Sequence, residues 1–471
     1  MSFVAFVNGI VLMFFAGLMG VDAILFPATR AIFATAFILT GFVGAMLAIA
    51  ASASSPELNR LHTFVLTTSI WLIAALAGAL PLYLWSLPPV DALFEAMSGI
   101  TTTGSTVMTG LDSTPRGILL WRALLQAVGG VGFIVTGIAL LPILKVGGMQ
   151  LFRTESSDKG DKELRNATQF AFATLVVYIG LMGICGLIYA EGGMSIFDAI
   201  THAMTTLSTG GYSNYDASFG HFDSSFLQWT GTVFMLLGAL PFAWYIRAIN
   251  RNIFRSEQVF GLIRGLFVVI MGLSLWLTLT SPTPFLDALR LVAFNVVSVV
   301  TTTGFASADY TAWGPFAATS FLLLTAVGGC TGSTAGGAKT MRWIILYRSV
   351  RAQIRSVHSP HGIFTTKYEG QTVGDDVASG VIAFFTLYFA TFAVLAVALG
   401  LVGLDFLSAV SGALTALANV GPGVGDKIGP AGNFATISDE AKLIFIVGMY
   451  LGRLEMLTVF VLFTRRFWRE V

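Results

Sequence analysis

The chain has 471 residues, of which 55% are hydrophobic and 11% are charged. An ordinary soluble domain carries roughly 25% charged residues, so this composition excludes a soluble globular class and indicates a protein of the lipid bilayer. The formal net charge of +1 is uninformative by itself, and no nucleic-acid partner is expected.

Several apolar runs approach the roughly 20 residues that a helix needs to cross about 30 Å of hydrocarbon. They include residues 33–51, 64–85, 117–144, 226–249 and 380–402. The first run, residues 3–19, lacks a basic leader and a small-residue cleavage pattern, so we expect a retained span. Cys185 and Cys330 lie in apolar segments and are expected to be small buried hydrophobes.

Lys and Arg are concentrated in alternate linkers between the apolar runs. The rich linkers are residues 145–165, 247–264 and 342–367, together with the terminal residues 465–469. Basic linkers are retained on the cytoplasmic side. Ten spans would therefore place both termini in the cytoplasm.

A polar motif interrupts the apolar sequence four times. TTTGS at residues 101–105 and TTTGF at 301–305 have weaker relatives, STGG at 208–211 and NVGP at 419–422. Their glycines are Gly104, Gly210, Gly304 and Gly421, and they lie about 100 residues apart. This spacing predicts an internal repeat.

Each motif follows a short segment that begins near an acidic residue. The acids are Asp91, Asp198, Asp287 and Asp405. A segment of about 10 to 15 residues is too short to cross the bilayer as a helix, so we expect it to re-enter the same face. Two full spans separate successive copies. All four loops should therefore enter from the non-cytoplasmic side and be able to meet on one axis.

Non-helical backbone at membrane depth requires a protein or water-filled environment. Backbone carbonyls with Thr or Ser hydroxyls can replace the water shell of an alkali cation. The motifs contain no carboxylate, which argues against a divalent site and predicts a monovalent cation. A helix cap or turn remains the alternative for any single copy. The predicted ion-binding residues are Thr102, Thr103, Gly104, Ser208, Thr209, Gly210, Thr302, Thr303, Gly304, Asn419, Val420 and Gly421.

The sequence GGCTGSTAGGAKT at residues 328–340 interrupts another apolar span. Interior glycines cost a helix on the order of 1 kcal/mol each, so the span should break here, below the third motif. A Walker nucleotide loop is excluded because Ala338 separates Gly337 from Lys339 and no strand precedes the loop. We expect a loop that obstructs the ion path. The predicted gating residues are Gly328, Gly329, Gly332, Ser333, Thr334, Gly336, Gly337 and Lys339 of this loop, together with Arg453. For Lys339, a lysine that extends its ammonium group to the membrane interface is the alternative.

Arg453 lies inside the last apolar span. Charges at membrane depth usually face the bundle interior and have a partner. We expect Arg453 to bind carbonyls of the 328–338 loop and to add a positive barrier below the motifs, whereas an ion pair with Glu455 or another acid is the alternative. Arg122 and Arg290 are interpreted as solvated or structural residues near the outer interface.

The ordered motifs resemble the Trk/Ktr/HKT superfamily of potassium transporters, most closely its bacterial TrkH branch. The matching stretches extend over nearly the whole chain: TTTGS at 101, STGGYS at 208, TTTGFAS at 301, GGCTGSTAGGAKT at 328, ANVGPG at 418 and GRLE at 452. In this family, glycine at the key position of every filter segment accompanies potassium preference. The fourth segment, with Asn419 and Pro422, departs from the hydroxyl-rich pattern and weakens fourfold equivalence.

The resemblance implies an all-α polytopic membrane protein with four span, pore-loop, span repeats around a pseudo-fourfold pore, preceded by two extra N-terminal transmembrane helices. The corresponding divisions are residues 1–57, 58–150, 151–255, 256–367 with the gating loop 328–340, and 368–471. It also implies K+ as the transported ion, a homodimer in the bacterial inner membrane, and a cytosolic nucleotide-binding ring of the TrkA type. The polar linker at residues 153–165 offers such a ring a docking surface.

Two other functions were weighed against a channel-like pore. A membrane-embedded enzyme needs a catalytic constellation, but the five histidines are scattered, and no organic cofactor is expected. A Na+- or H+-coupled symporter often uses inverted repeats and a carboxylate at mid-depth. The repeats here are parallel, and their acidic residues lie at the beginning of the short segments. Channel-like permeation is favoured, and coupled symport on the same fold remains open.

Overall fold

The computed structural model describes residues 2–52, 60–140, 167–359, 361–362 and 364–470, and it is predominantly helical. The helices are α1 (Ser2–Leu25), α2 (Arg30–Ala50), α3 (Arg60–Trp85), α4 (Pro89–Ile100), α5 (Arg116–Leu140), α6 (Ala167–Glu191), α7 (Ile196–Leu207), α8 (Ser225–Gly238), α9 (Phe242–Arg251), α10 (Glu257–Thr280), α11 (Phe285–Val300), α12 (Pro315–Thr325), α13 (Thr340–His358), α14 (Asp375–Leu401), α15 (Phe406–Ala418), α16 (Asp439–Arg453), α17 (Leu457–Phe460) and α18 (Arg465–Glu470). Two short strands, β1 (Lys367–Tyr368) and β2 (Gln371–Thr372), pair antiparallel between α13 and α14.

Four repeats follow the pair α1 and α2. Each repeat has a long first helix (α3, α6, α10 or α14), a short helix (α4, α7, α11 or α15), a polar segment and a second helix. Asp91, Asp198 and Asp287 lie in the first turns of their short helices, and Asp405 caps α15. The predicted fold class is confirmed, and the acids mark the short helices because a carboxylate is favourable at a helix N-terminus.

Among the described residues, the second helix is interrupted in three of the repeats. The predicted break in the third repeat is confirmed, since α12 ends at Thr325 and α13 begins at Thr340. The expectation of one continuous span over residues 226–249 is wrong, because α8 and α9 meet at 90°. The last span is also broken, and α16 is followed by a segment turned by 101°. Apolar patterning does not reveal the first bend, because residues 238–242 (GALPF) stay apolar. Arg453 and Glu455 interrupt the apolar sequence at the second bend, but isolated charges do not by themselves indicate a turn.

The two N-terminal helices form a tight pair beside the first repeat. Gly9 and Gly44 lie where the backbones of α1 and α2 approach, and a Cβ on Gly9 would lie 2.7 Å from the Gly44 oxygen. Phe15 and Phe33 then pack edge-on against Trp121 of α5, with ring centroids 6.4 and 5.7 Å apart. Aromatic packing therefore fixes the pair onto the repeats.

The long helices present apolar side chains outward. Six of them are long and apolar enough to cross a membrane, or up to eight spans when each bent pair is counted as one, within the described residues. The exposed faces carry large hydrophobic side chains such as Ile24, Leu187, Leu279 and Leu401. Such faces suit lipid contact.

Some predictions fall outside the described residues. These are the polar docking linker at 153–165 and the repeat boundaries at 57/58 and 150/151. The two cysteines, by contrast, are both buried as expected.

Candidate ion-binding site and gate

The four polar segments share one backbone conformation. In each, a residue with left-handed φ is followed two positions later by a glycine with positive φ. The first set is Thr102, Thr209, Thr302 and Asn419, with φ of 54°, 51°, 58° and 55°. The second set is Gly104, Gly211, Gly304 and Gly421, with φ of 86°, 73°, 82° and 108°. Glycine suits the second position because it adopts positive φ without a Cβ clash.

This register corrects one assignment made from sequence. Gly211, and not Gly210, is the structural counterpart of the other three glycines. The hydrogen bonds agree, since the residue before the aligned glycine donates its N–H to the carbonyl five residues earlier in every segment. These donors are Thr103, Gly210, Thr303 and Val420. The error arose because two adjacent glycines leave the alignment of STGG ambiguous by one residue.

The segments meet in a closed ring. Each aligned glycine lies so near a carbonyl of the next segment that an added Cβ would be closer than 3.0 Å to it. The pairs are Gly104 with Gly210, Gly211 with Thr303, Gly304 with Val420, and Gly421 with Thr103. Each segment therefore contacts the next one in chain order, and the fourth segment contacts the first. Four backbones can approach this closely only where side chains are absent.

One cavity lies on the outer side of the ring. It has a volume of about 260 Å³, and Gly104, Gly211, Gly304 and Gly421 all line it. Of the four glycines expected to meet on one axis, Gly104, Gly304 and Gly421 line this cavity, and Gly211 lines it in place of Gly210.

The short helices direct their C-terminal ends at the ring. The helices α4, α7, α11 and α15 end at Ile100, Leu207, Val300 and Ala418, directly before the polar segments. A helix C-terminus carries a partial negative charge, so four such ends favour a cation between them. At the far end of α15, the Ser408 N–H bonds to the Asp405 carboxylate and lowers the pKa of Asp405.

The loop between α12 and α13 lies against the inner side of the ring. The Gly336 N–H donates to Thr302 Oγ1 at 2.6 Å, and Thr334 Oγ1 donates to the Leu207 oxygen at 3.0 Å. A Cβ on Gly336 would overlap the carbonyl oxygen of Ala418. The loop thus contacts the second, third and fourth repeats. Residues 328–340 are buried apart from the half-buried Gly332 and Gly337, so the loop is packed inside the protein against the ring.

Arg453 joins this loop to two other repeats. It is 2% exposed and donates from Nη1 to the Thr334 oxygen at 3.0 Å and from Nη2 to the Gly129 oxygen at 3.1 Å. The expected contact between Arg453 and the loop is therefore present. Glu455, the alternative partner, instead pairs with Arg342 at 2.7 Å. The two residues are not on one helix, because α16 ends at Arg453 and Glu455 has a φ of 56°.

Further positive charge surrounds this position. Lys339 is 3% exposed and donates to the Ala335 oxygen within the loop. Arg342, the third residue of α13, is also buried and is the residue that pairs with Glu455. Basic side chains are thus buried within and beside the loop that contacts the ring.

A buried ion pair braces the outer part of the ring. Arg122 of α5 donates from Nε to Glu95 of α4 at 2.8 Å and from Nη1 to the Ser213 oxygen at 2.8 Å. Glu95 also accepts the Val107 N–H at 2.9 Å. The structural interpretation of Arg122 holds, but its burial and its contact with the segments were not predicted. Glu95 and Arg122 are 27 residues apart in the sequence, and no sequence pattern predicts that they pair.

Known proteins share the sequence and the overall fold of this chain. The sequence model of the TrkH family, described as a cation transport protein, matches residues 29–469. The chain belongs to the TrkH family. TrkH proteins are transporters, so the expectation that the chain is not an enzyme is confirmed.

Individual relatives of the TrkH family cover most of the chain. A Trk system potassium uptake protein TrkI of Halomonas elongata is 49% identical over 420 residues, 88% of this chain and 85% of that protein. A TrkH of the same organism is 38% identical over 93% of this chain and 92% of that protein. The crystal structure of the potassium transporter TrkH from Vibrio parahaemolyticus superposes with a TM-score of 0.91 at 31% identity, covering 99% of this chain and 100% of that one.

Proposed function

We propose that this chain carries K+ across the bacterial inner membrane through a channel-like pore. The proposed ion cage is the ring of polar segments, residues 101–104, 208–211, 301–304 and 418–421. The proposed gate is the loop of residues 328–340 together with Arg453. The relatives named above as potassium uptake proteins support K+ as the transported ion.

The observation that carries this proposal is the closed ring of glycine and carbonyl contacts. A dehydrated alkali ion needs several oxygens at once, and a ring of four segments presents backbone carbonyls from every side. The segments contain no carboxylate, and among the described residues no cluster of His, Cys, Asp or Glu could hold a metal ion. A cage of neutral oxygens favours a monovalent cation over a divalent one.

The gate assignment rests on position and charge. The loop lies directly under the ring, is bonded to three repeats, and is joined to Arg453. An ion leaving the ring toward the cytoplasm would have to displace this loop. We therefore expect transport to require movement of residues 328–340, and we expect the resting flux to be low.

The remaining parts of the proposal concern assembly and topology. We propose a homodimer with one pore in each protomer, regulated by a cytosolic nucleotide-binding ring of the TrkA type, with both termini cytoplasmic. The repeat divisions at residues 57/58, 150/151, 255/256 and 367/368 belong to the same proposal. Relatives that are named as parts of a Trk system support the existence of partner proteins.

The test is cation flux into sealed liposomes that contain the purified protein. K+ and Na+ are compared under imposed gradients, with and without the cytosolic partner. We expect K+ to enter faster than Na+. Equal rates, or no flux of either ion in both conditions, would contradict the proposal.

The same liposomes distinguish a pore from coupled symport. A channel-like pore lets K+ reach equilibrium with its own gradient, whatever Na+ or pH gradient is imposed. Accumulation of K+ against its gradient, driven by an inward Na+ or H+ gradient alone, would favour the symporter.

A further inference from the structure

One carbonyl of the ring is held by a side chain. Gln126 of α5 donates from Nε2 to the carbonyl oxygen of Gly210 at 2.6 Å. Its Oε1 accepts the backbone N–H of Tyr212 at 3.0 Å. Gln126 is 0% exposed, so water does not compete for either bond. Both the nitrogen and the oxygen of the Gln126 amide therefore form hydrogen bonds. These bonds hold the peptides around Gly210 and Gly211 from outside the ring.

The three corresponding carbonyls have no such support. In the part of the chain that the structure describes, no hydrogen bond is made to the carbonyl oxygens of Thr103, Thr303 or Val420. These oxygens and that of Gly210 occupy the same place, each against the aligned glycine of a neighbouring segment. The ring is therefore alike in backbone conformation but unequal in support.

The equivalent positions of the other repeats explain the inequality. LLQAVGG at residues 124–130 matches LLTAVGG at 323–329, which aligns Gln126 with Thr325. In the other two repeats, the register is given by a glycine that packs on the carbonyl two residues before the left-handed residue of the polar segment: Gly129 meets Ile100, Gly238 meets Leu207, and Gly452 meets Leu417. Three residues before these glycines stand Gln126, Met235 and Met449.

None of the three substitutes reproduces the bond of Gln126. The Thr325 hydroxyl donates to the Phe321 oxygen of its own helix at 2.9 Å. Met235 and Met449 are both buried, and a thioether has no N–H to donate. Methionine fills the equivalent position in two repeats, so packing at this position does not require an amide. The amide in the first repeat therefore has a task other than filling space.

We propose that Gln126 is a positioning residue that sets the discrimination of the ring between K+ and Na+. This inference rests on the proposed function of the ring as an ion cage. The bond from Nε2 opposes inward movement of the Gly210 oxygen onto a smaller ion. It also withdraws electron density from that oxygen and weakens its field. A wider cage and a weaker field both favour the larger, more easily dehydrated ion.

The substitution Gln126→Met tests the inference with the side chain that fills the equivalent position in two other repeats. The readout is the reversal potential of the protein in planar bilayers or patched liposomes under opposed K+ and Na+ gradients. The reversal potential depends on the permeability ratio and not on the number of active molecules, so partial misfolding does not change it. The net contribution of one hydrogen bond is about 1 kcal/mol, and its loss should lower the ratio of K+ to Na+ permeability about fivefold.

Gln228→Met is the matched control. Gln228 is also a buried glutamine in the second helix of a repeat, and it donates to the Phe222 oxygen at 3.4 Å, away from the ring. We expect this variant to keep the permeability ratio of the unmodified protein. A Gln126→Met protein that conducts with an unchanged ratio would overturn the inference. An unmodified protein that does not select K+ over Na+ would instead contradict the proposed function.

Discussion

Replacing Gly421 by alanine should strongly weaken ion selection. Gly421 has a φ of 108°, which an L side chain rarely adopts, and its added Cβ would lie 2.7 Å from the Thr103 oxygen. Ordinary contact begins near 3.4 Å, so that oxygen must retreat by about 0.7 Å. The strained backbone conformation adds about 1–3 kcal/mol, and the segment will relax away from it. Both changes distort the ring.

We expect the ratio of K+ to Na+ flux through Gly421→Ala to fall at least tenfold, which corresponds to about 1.4 kcal/mol. The assay is flux of each ion into sealed liposomes at equal protein content. Gly265→Ala is the control, because Gly265 is exposed on α10 and an added Cβ meets nothing within 4 Å. Wild-type selectivity in Gly421→Ala would refute the argument that this glycine is required by the neighbouring carbonyl.

Three further predictions concern the gate and the braces of the ring. Arg453→Ala removes two bonds to backbone carbonyls and a buried positive charge, so ungated K+ flux without the cytosolic partner should rise several-fold; unchanged flux would argue against Arg453 as part of the gate. Gly336→Ala introduces a Cβ that overlaps the Ala418 oxygen, and the displaced loop should also raise ungated flux, measured in the same assay. Arg122→Met leaves a buried carboxylate unpaired and should lower the free energy of unfolding by about 3–5 kcal/mol. Arg290→Met breaks the partly exposed pair with Asp287 and should lower the free energy of unfolding by only about 0–1 kcal/mol. Equal shifts in the thermal unfolding of the two variants would contradict this ranking.

The sequence was sufficient to predict the architecture because its signals are local and repeated. Apolar length identifies the long helices, and an acid at the start of each short segment marks the re-entrant helices. The repeated Thr-Gly motif then predicts four equivalent segments, and the glycine-rich stretch at 328–340 predicts the break before α13. Each of these features is determined by residues that are neighbours in the chain.

The details that sequence could not provide depend on contacts between distant residues. Gly210 and Gly211 are indistinguishable in STGG, and only the conformation of the other three segments decides between them. The bond from Gln126 to the Gly210 carbonyl spans 84 residues. The ion pair between Arg342 and Glu455 spans 113 residues. It depends on the turn after Arg453, which the apolar pattern of the sequence does not predict.

The central claim is that the four polar segments together bind a dehydrated alkali cation. The most direct measurement is a crystal structure of the protein in RbCl, with the cation located by its anomalous scattering. We expect a peak inside the ring, enclosed by the four segments that contain Thr103, Gly210, Thr303 and Val420. A well-occupied peak elsewhere in the protein, with none inside the ring, would contradict it.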